Sequence, residues 1–165
     1  DHLFAAQIRS LSPDPARHHV LLNKGVNDGV TEGQPVLGAE GLIGQVTSSG
    51  NRNSRAVLIT DSAHALPVQV NRSGLRAIAE GSGSIDRLVI RHLPATTDIR
   101  VDDLLVTSGL GGRFPHGYPV ARVTEVITLE GDAFATVFAA PSSLLDRGRY
   151  VLVVMWGDLE REAAP

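Results

Sequence analysis

A hydroxyl, an imidazole and a carboxylate brought together activate a nucleophile for acyl transfer, so these residue types are the first to weigh. Ser108, His64 and any of Asp61, Asp86 or Asp103 could be drawn as such a triad. Ser108, however, stands in Thr-Ser-Gly-Leu-Gly and not in a Gly-x-Ser-x-Gly nucleophile elbow. Nothing beside His64 marks it as a general base and not a turn residue after Thr60-Asp61. A chymotrypsin-like barrel hydrolase stays as the alternative reading. Of the six histidines, His18 and His19 are adjacent and would face opposite sides of a strand, while His2, His64, His92 and His116 lack any paired ligand spacing. Cysteine is absent, which removes disulfides, thiolate metal sites and a thiol nucleophile. No metal and no cofactor is expected.

Two further stretches are unusual. Residues 109–117 read Gly-Leu-Gly-Gly-Arg-Phe-Pro-His-Gly, yet a dinucleotide fingerprint needs a third glycine where Phe114 stands, and a P-loop needs Gly-Lys-Ser/Thr. The plain reading is an interstrand loop whose glycines take positive φ. The functional reading is a partner-binding loop presenting Leu110, Arg113, Phe114 and Tyr118, the side-chain types that anchor interfaces, with Phe114 folded back as a plug on the barrel end as the competing possibility. Residues 23–30, Asn-Lys-Gly-Val-Asn-Asp-Gly-Val, read as a compact turn with Asp28 capping backbone amides. Lys24, the one lysine in the chain, is a further candidate contact.

Composition narrows the function. Fifteen basic against 18 acidic residues give a net charge of −3, neither half is basic, and only four Phe, two Tyr and one Trp are available to stack bases. Nucleic-acid binding is therefore not expected. The longest apolar run, residues 151–156, is far short of the roughly 20 residues of a membrane-spanning helix. The first residue is Asp1 and not methionine, which reads as a start inside a longer or processed chain.

Any of these sites must be held by strands. Valine and isoleucine fall in short runs punctuated by Gly, Pro, Asn and Asp, and no helical period of ten or more residues is visible. Twelve strands are expected, at 4–11, 19–22, 35–37, 42–48, 55–60, 66–70, 75–80, 88–93, 104–108, 119–129, 133–140 and 150–156. Hairpin loops are expected at 38–41, 71–74 and 130–132. Leu66, Val68 and Val70 alternate, whereas Val57, Leu58 and Ile59 run on as in a strand covered on both faces. Ala133, Ala135, Val137 and Ala139 make a small-residue face suited to a tightly curved barrel, with Phe134 and Phe138 packing outward against a second one. The expected fold is all-β: two small, roughly six-stranded antiparallel β-barrels in tandem, at 1–80 and 81–156, with a polar tail at 157–165. The boundary is drawn at 80–84, with strand exchange between the barrels as the arrangement that would defeat it.

Six ordered motifs now add up: Asn-Lys-Gly-x-Asn-Asp-Gly-Val (23–30), Gly-Gln-Pro-Val (33–36), Gly-Leu-Ile-Gly-Gln-Val (41–46), Ser-Arg-x-x-Leu-Ile-Thr-Asp (54–61), Pro-Val-Gln-Val (67–70) and Gly-Leu-Gly-Gly-Arg-Phe-Pro-His-Gly-Tyr-Pro-Val (109–120). Together they resemble the rod shape-determining protein MreC family, from about residue 8 to residue 154. One departure is Asp102, where the family usually has glycine before Asp-Leu-Leu. The resemblance implies a periplasmic pair of barrels, anchored to the inner membrane in the full-length protein by a helix that precedes Asp1, with a coiled coil between. It further implies a non-enzymatic scaffold of the elongation machinery. Such a scaffold self-associates as a dimer or filament, binds the class B penicillin-binding transpeptidase, and works with MreD and the MreB-linked system in lateral peptidoglycan synthesis.

Overall fold

A computed structural model describes residues 3–12, 14, 17–143, 145 and 149–155. The chain forms β1 (Leu3–Leu11), β2 (His19–Leu22), β3 (Pro35–Leu37), β4 (Leu42–Ser49), β5 (Ser54–Leu58), β6 (Ala65–Val70), β7 (Arg76–Ser84), β8 (Arg87–Pro94), β9 (Leu104–Thr107), β10 (Pro119–Thr128), β11 (Phe134–Pro141) and β12 (Tyr150–Val154). Each of the twelve expected strands is present, and the turns at 38–41, 71–74 and 130–132 join β3 to β4, β6 to β7 and β10 to β11. Expectations placed on Trp156 and on the 157–165 tail lie outside the described residues.

The strands close into two six-stranded antiparallel barrels, ordered β1-β12-β3-β4-β5-β2 and β10-β11-β8-β7-β6-β9. The division differs from the boundary drawn at 80–84. That boundary cuts β7, which pairs with β6 before it and β8 after it, so the second barrel runs from β6 to β11. The first barrel has only five strands from its own end of the chain and is closed by β12, which lies between β1 and β3. Strand exchange has a simple cause: β3 covers three residues and β1 lies across the gap, and without β12 both would keep an open edge.

One continuous apolar cluster runs through both barrels, from Leu22, Leu42 and Leu58 to Leu66, Leu88 and Leu105. Leu66, Val68 and Val70 all point inward, and so do Ala135, Val137 and Ala139. Ala133 is exposed and lies before β11. Phe134 is 55% exposed and does not pack against the other barrel, while the Phe138 ring is covered by the Arg87 guanidinium at 4.5 Å. The barrels meet closely enough that a Cβ on Gly81 would strike the Asp61 carbonyl, and one on Gly41 would lie 2.5 Å from the Pro119 carbonyl. Among the described residues no helix is long and apolar enough to cross a membrane.

Candidate functional site

The loop between β9 and β10 is built by its glycines, as the plain reading expected. Gly109, Gly111, Gly112 and Gly117 have φ of +75°, +76°, +70° and +100° around a short 3-10 turn at Leu110–Gly112. Thr107 fastens its base: the hydroxyl donates to the Pro115 carbonyl and accepts from the Tyr118 amide at 2.9 Å. The reversal drives Phe114 into the protein. Phe114 is 2% exposed and part of the apolar cluster, so it is the plug on the barrel end and not an outward anchor. Arg113 turns toward the other barrel, donating to the Ala65 carbonyl at 3.1 Å and to Gln45 Oε1 on β4 at 3.4 Å, with its guanidinium 5.7 Å from the Phe114 ring centroid. Leu110 is 43% exposed; Tyr118 is half-buried, which pushes its hydroxyl pKa up. Of the four loop candidates, two remain surface groups, one clamps the barrels and one is core.

Lys24 is half-buried beside a structural turn at Val26–Asp28. Asp28 Oδ2 accepts from the Gly25 amide at 3.1 Å, and Gly29 closes the turn at φ +95°. Lys24 lies in the turn after β2 of the first barrel, whereas the 109–118 loop joins β9 to β10 of the second. Asp102 adopts φ +75°, the left-handed conformation that glycine takes most cheaply, and its carbonyl is held by Arg122 Nη1 at 2.7 Å.

The triad residues are employed elsewhere. Ser108 Oγ accepts from the Leu110 amide at 3.1 Å, while neither ring nitrogen of His64 has a hydrogen-bond partner. Burial foremost, then the Arg113 cation, lowers the His64 pKa to about 4, with Asp61 pulling the other way. Asp61 is 2% exposed on the crossing between barrels, where its carboxylate accepts from the His18 and Ala63 amides, each at 2.8 Å, and approaches His19 Nε2 at 3.4 Å. Thr60 Oγ1 meets His18 Nδ1 at 2.7 Å in the same crossing. Asp103 binds Arg72 at 2.9 Å, whose hydrogen bonds hold the Asp103 and Asp98 carboxyls below the usual carboxylate range. Asp86 accepts from Ser84 Oγ at 2.7 Å. This is a polar junction that pins two barrels, not an assembled nucleophile. Among the described residues no three His, Asp or Glu side chains converge as metal ligands would.

A surface the loop reading missed lies on the β10–β11 hairpin. Leu129 is 65% exposed, Phe134 55% and Ile127 37%. The register sets Ile127 opposite Thr136, with Leu129 and Phe134 one step further along the same outer face. β8 carries one extra residue against β11, and His92, at φ +60°, absorbs it and stands edge-on to the Phe134 ring at 6.2 Å. Phe134 gave the signal in the sequence, as a large residue on the outward face of a small barrel.

The family described as "Rod shape-determining protein MreC, barrel core" matches residues 8–155. The cell shape-determining protein MreC of Escherichia coli is 48% identical over 159 residues, covering 96% of this chain but 43% of that protein, so the chain spans less than half the length of that relative. The crystal structure of MreC from Pseudomonas aeruginosa agrees with a TM-score of 0.90 at 50% identity, covering 93% of this chain and 99% of that one. A more distant likeness, TM-score 0.71 at 18% identity over 94% and 99% of the two chains, is to a chain of the complex between penicillin-binding protein (PBP2) and MreC from Helicobacter pylori, and it speaks for the fold alone. With two interlocked barrels, no assembled triad and a match over nearly its whole length, the chain belongs to the rod shape-determining protein MreC family, whose barrel core it contains.

Proposed function

We propose that the chain is the periplasmic part of a non-enzymatic scaffold that binds a class B penicillin-binding transpeptidase and organises lateral peptidoglycan synthesis in the elongation machinery. In the full-length protein it is tethered to the inner membrane, works with MreD and the MreB-linked system, and self-associates. The observation that carries the reading is the apolar outer face of β10 and β11, Ile127, Leu129 and Phe134, on a barrel that is closed. Closed barrels offer no strand edge to pair with another chain, so both partner binding and self-association fall to side chains on barrel surfaces. The solved complex between PBP2 and MreC supports the choice of partner.

Affinity for the periplasmic region of the transpeptidase tests it. Leu129→Ser and Phe134→Ser are expected to weaken binding by about thirtyfold each, the effect of losing an interface anchor, with thermal stability nearly unchanged. Leu110→Ser reads the 109–118 loop in the same assay. A loss confined to Leu110→Ser returns the contact to the loop, and unchanged affinity in all three variants removes both surfaces.

A further inference from the structure

The outside of the first barrel carries a cleft of about 450 Å³, lined by the end of β1, by β2, by Arg55 of β5 and by Asp14 and Arg17 of the β1–β2 connection. The cross-strand register makes this face: Ser10 stands opposite Leu21, and Leu21 opposite Arg55, in one row across three strands. Two guanidiniums therefore share one concavity, and among the described residues neither Arg17 nor Arg55 has a side-chain hydrogen bond or ion pair. Arg72 shows what a structural arginine looks like in this protein, its fork filled by Asp98 and Asp103 at 2.9 to 3.1 Å.

The remaining lining selects among anions. Asp14 brings a carboxylate to the same wall, so two cations and one anion leave the cleft with about one positive charge, which balances a carboxylate better than a phosphate of nearly two negative charges. A planar guanidinium fork also matches a carboxylate in two parallel hydrogen bonds. Ser10 and Ser12 add hydroxyls, and Leu21, in the outer row with Ser10 and Arg55, adds an apolar wall. The volume lies within the range of roughly 300–1,000 Å³ that small-ligand sites occupy. We propose that this cleft is a binding site for a peptide carboxylate, held by Arg17 and Arg55, with the adjoining peptide groups against Ser10 and Ser12 and a small side chain against Leu21.

The carboxylate can come from a chain terminus or from an acidic side chain, and three tripeptides separate these sources: Ac-Ala-Ala-Ala with a free C-terminus, Ac-Ala-Glu-Ala-NH₂, and the uncharged Ac-Ala-Ala-Ala-NH₂. Amide NMR of the whole ¹⁵N-labelled chain, titrated with each peptide and separately with inorganic phosphate, reads the site residue by residue. One or both acidic peptides are expected to shift the amides of residues 10–12, 17–21 and 55 with a Kd of about 1 mM, weakening as salt is raised. Arg17→Gln and Arg55→Gln are each expected to weaken that binding about tenfold while leaving the rest of the spectrum in place. Equal shifts from the uncharged peptide, larger shifts from phosphate, shifts elsewhere on the barrel, or both variants binding as the parent does would overturn the assignment.

Discussion

Replacing His64 with leucine isolates what one buried, unpaired imidazole does to stability as pH changes. His64 is 7% exposed, and both ring nitrogens lack a hydrogen-bond partner. Burial, reinforced by Arg113 and opposed by Asp61, moves its pKa from 6.5 to about 4. As pH falls through 6.5 the ring of the unfolded chain takes up a proton, while the folded chain keeps it neutral down to about 4. Within that window the unfolded state binds more protons, so stability rises with pH and is lost on acidification; below the window both states are protonated and the slope vanishes. The displacement corresponds to about 3 kcal/mol. His64→Leu removes the proton-binding group and two unpaired nitrogens while keeping an apolar side chain of comparable size. At pH above about 7 the variant should equal or exceed the parent in stability, because no hydrogen bond is given up. Its relative advantage should then grow by about 3 kcal/mol as pH is lowered to about 4. Urea unfolding followed by far-ultraviolet circular dichroism at closely spaced pH values measures this difference. Asp98 and Asp103, whose lowered pKa values also cost stability in acid, are present in both proteins and cancel. Two stability curves that stay parallel across the window would refute the reasoning.

Phe114→Ala should lower stability by about 3–5 kcal/mol in denaturant unfolding, since it empties a buried aromatic site, and Tyr118→Ala should cost distinctly less; equal, small losses would put Phe114 back on the surface. Asp102→Gly should raise stability by about 0.5 kcal/mol, the strain of a left-handed residue less the chain entropy of glycine, while Asp102→Ala should lower it; a rise in the urea midpoint for alanine would contradict the φ of +75°.

Strand positions were legible because apolar runs and turn residues are local. The β6–β7 and β10–β11 hairpins follow from Asn71-Arg72-Ser73-Gly74 and Glu130-Gly131-Asp132 between apolar runs. Barrel membership was not, because β12 pairs with β1 and β3 from the far end of the chain, and nothing within Tyr150–Val154 states which barrel will take it. The same division holds in the loop. Its glycines announced positive φ, but the inward turn of Phe114 depends on Thr107 gripping the Pro115 carbonyl and the Tyr118 amide. Asp102 was legible as a backbone problem, and its φ is the left-handed value that Asp tolerates.

The side chains at the junction gain meaning only from the threading of one barrel into the other. The chain leaves the first barrel after β5, completes the second from β6 to β11, and returns as β12, so Ile59, Thr60, Asp61 and His64 of the crossing are buried between the two. Enclosure demands that its polar groups be paired. Asp61 is answered by two amides, the Thr60 carbonyl by the Gly83 amide and the His64 carbonyl by the Gly81 amide, the last two at 2.9 Å. The His64 ring is the exception, and Arg113, which bridges to Ala65 and Gln45, stands close enough to depress its pKa. A proton added to this buried ring places a second cation beside the Arg113 guanidinium, so acid weakens the contact that holds the barrels together.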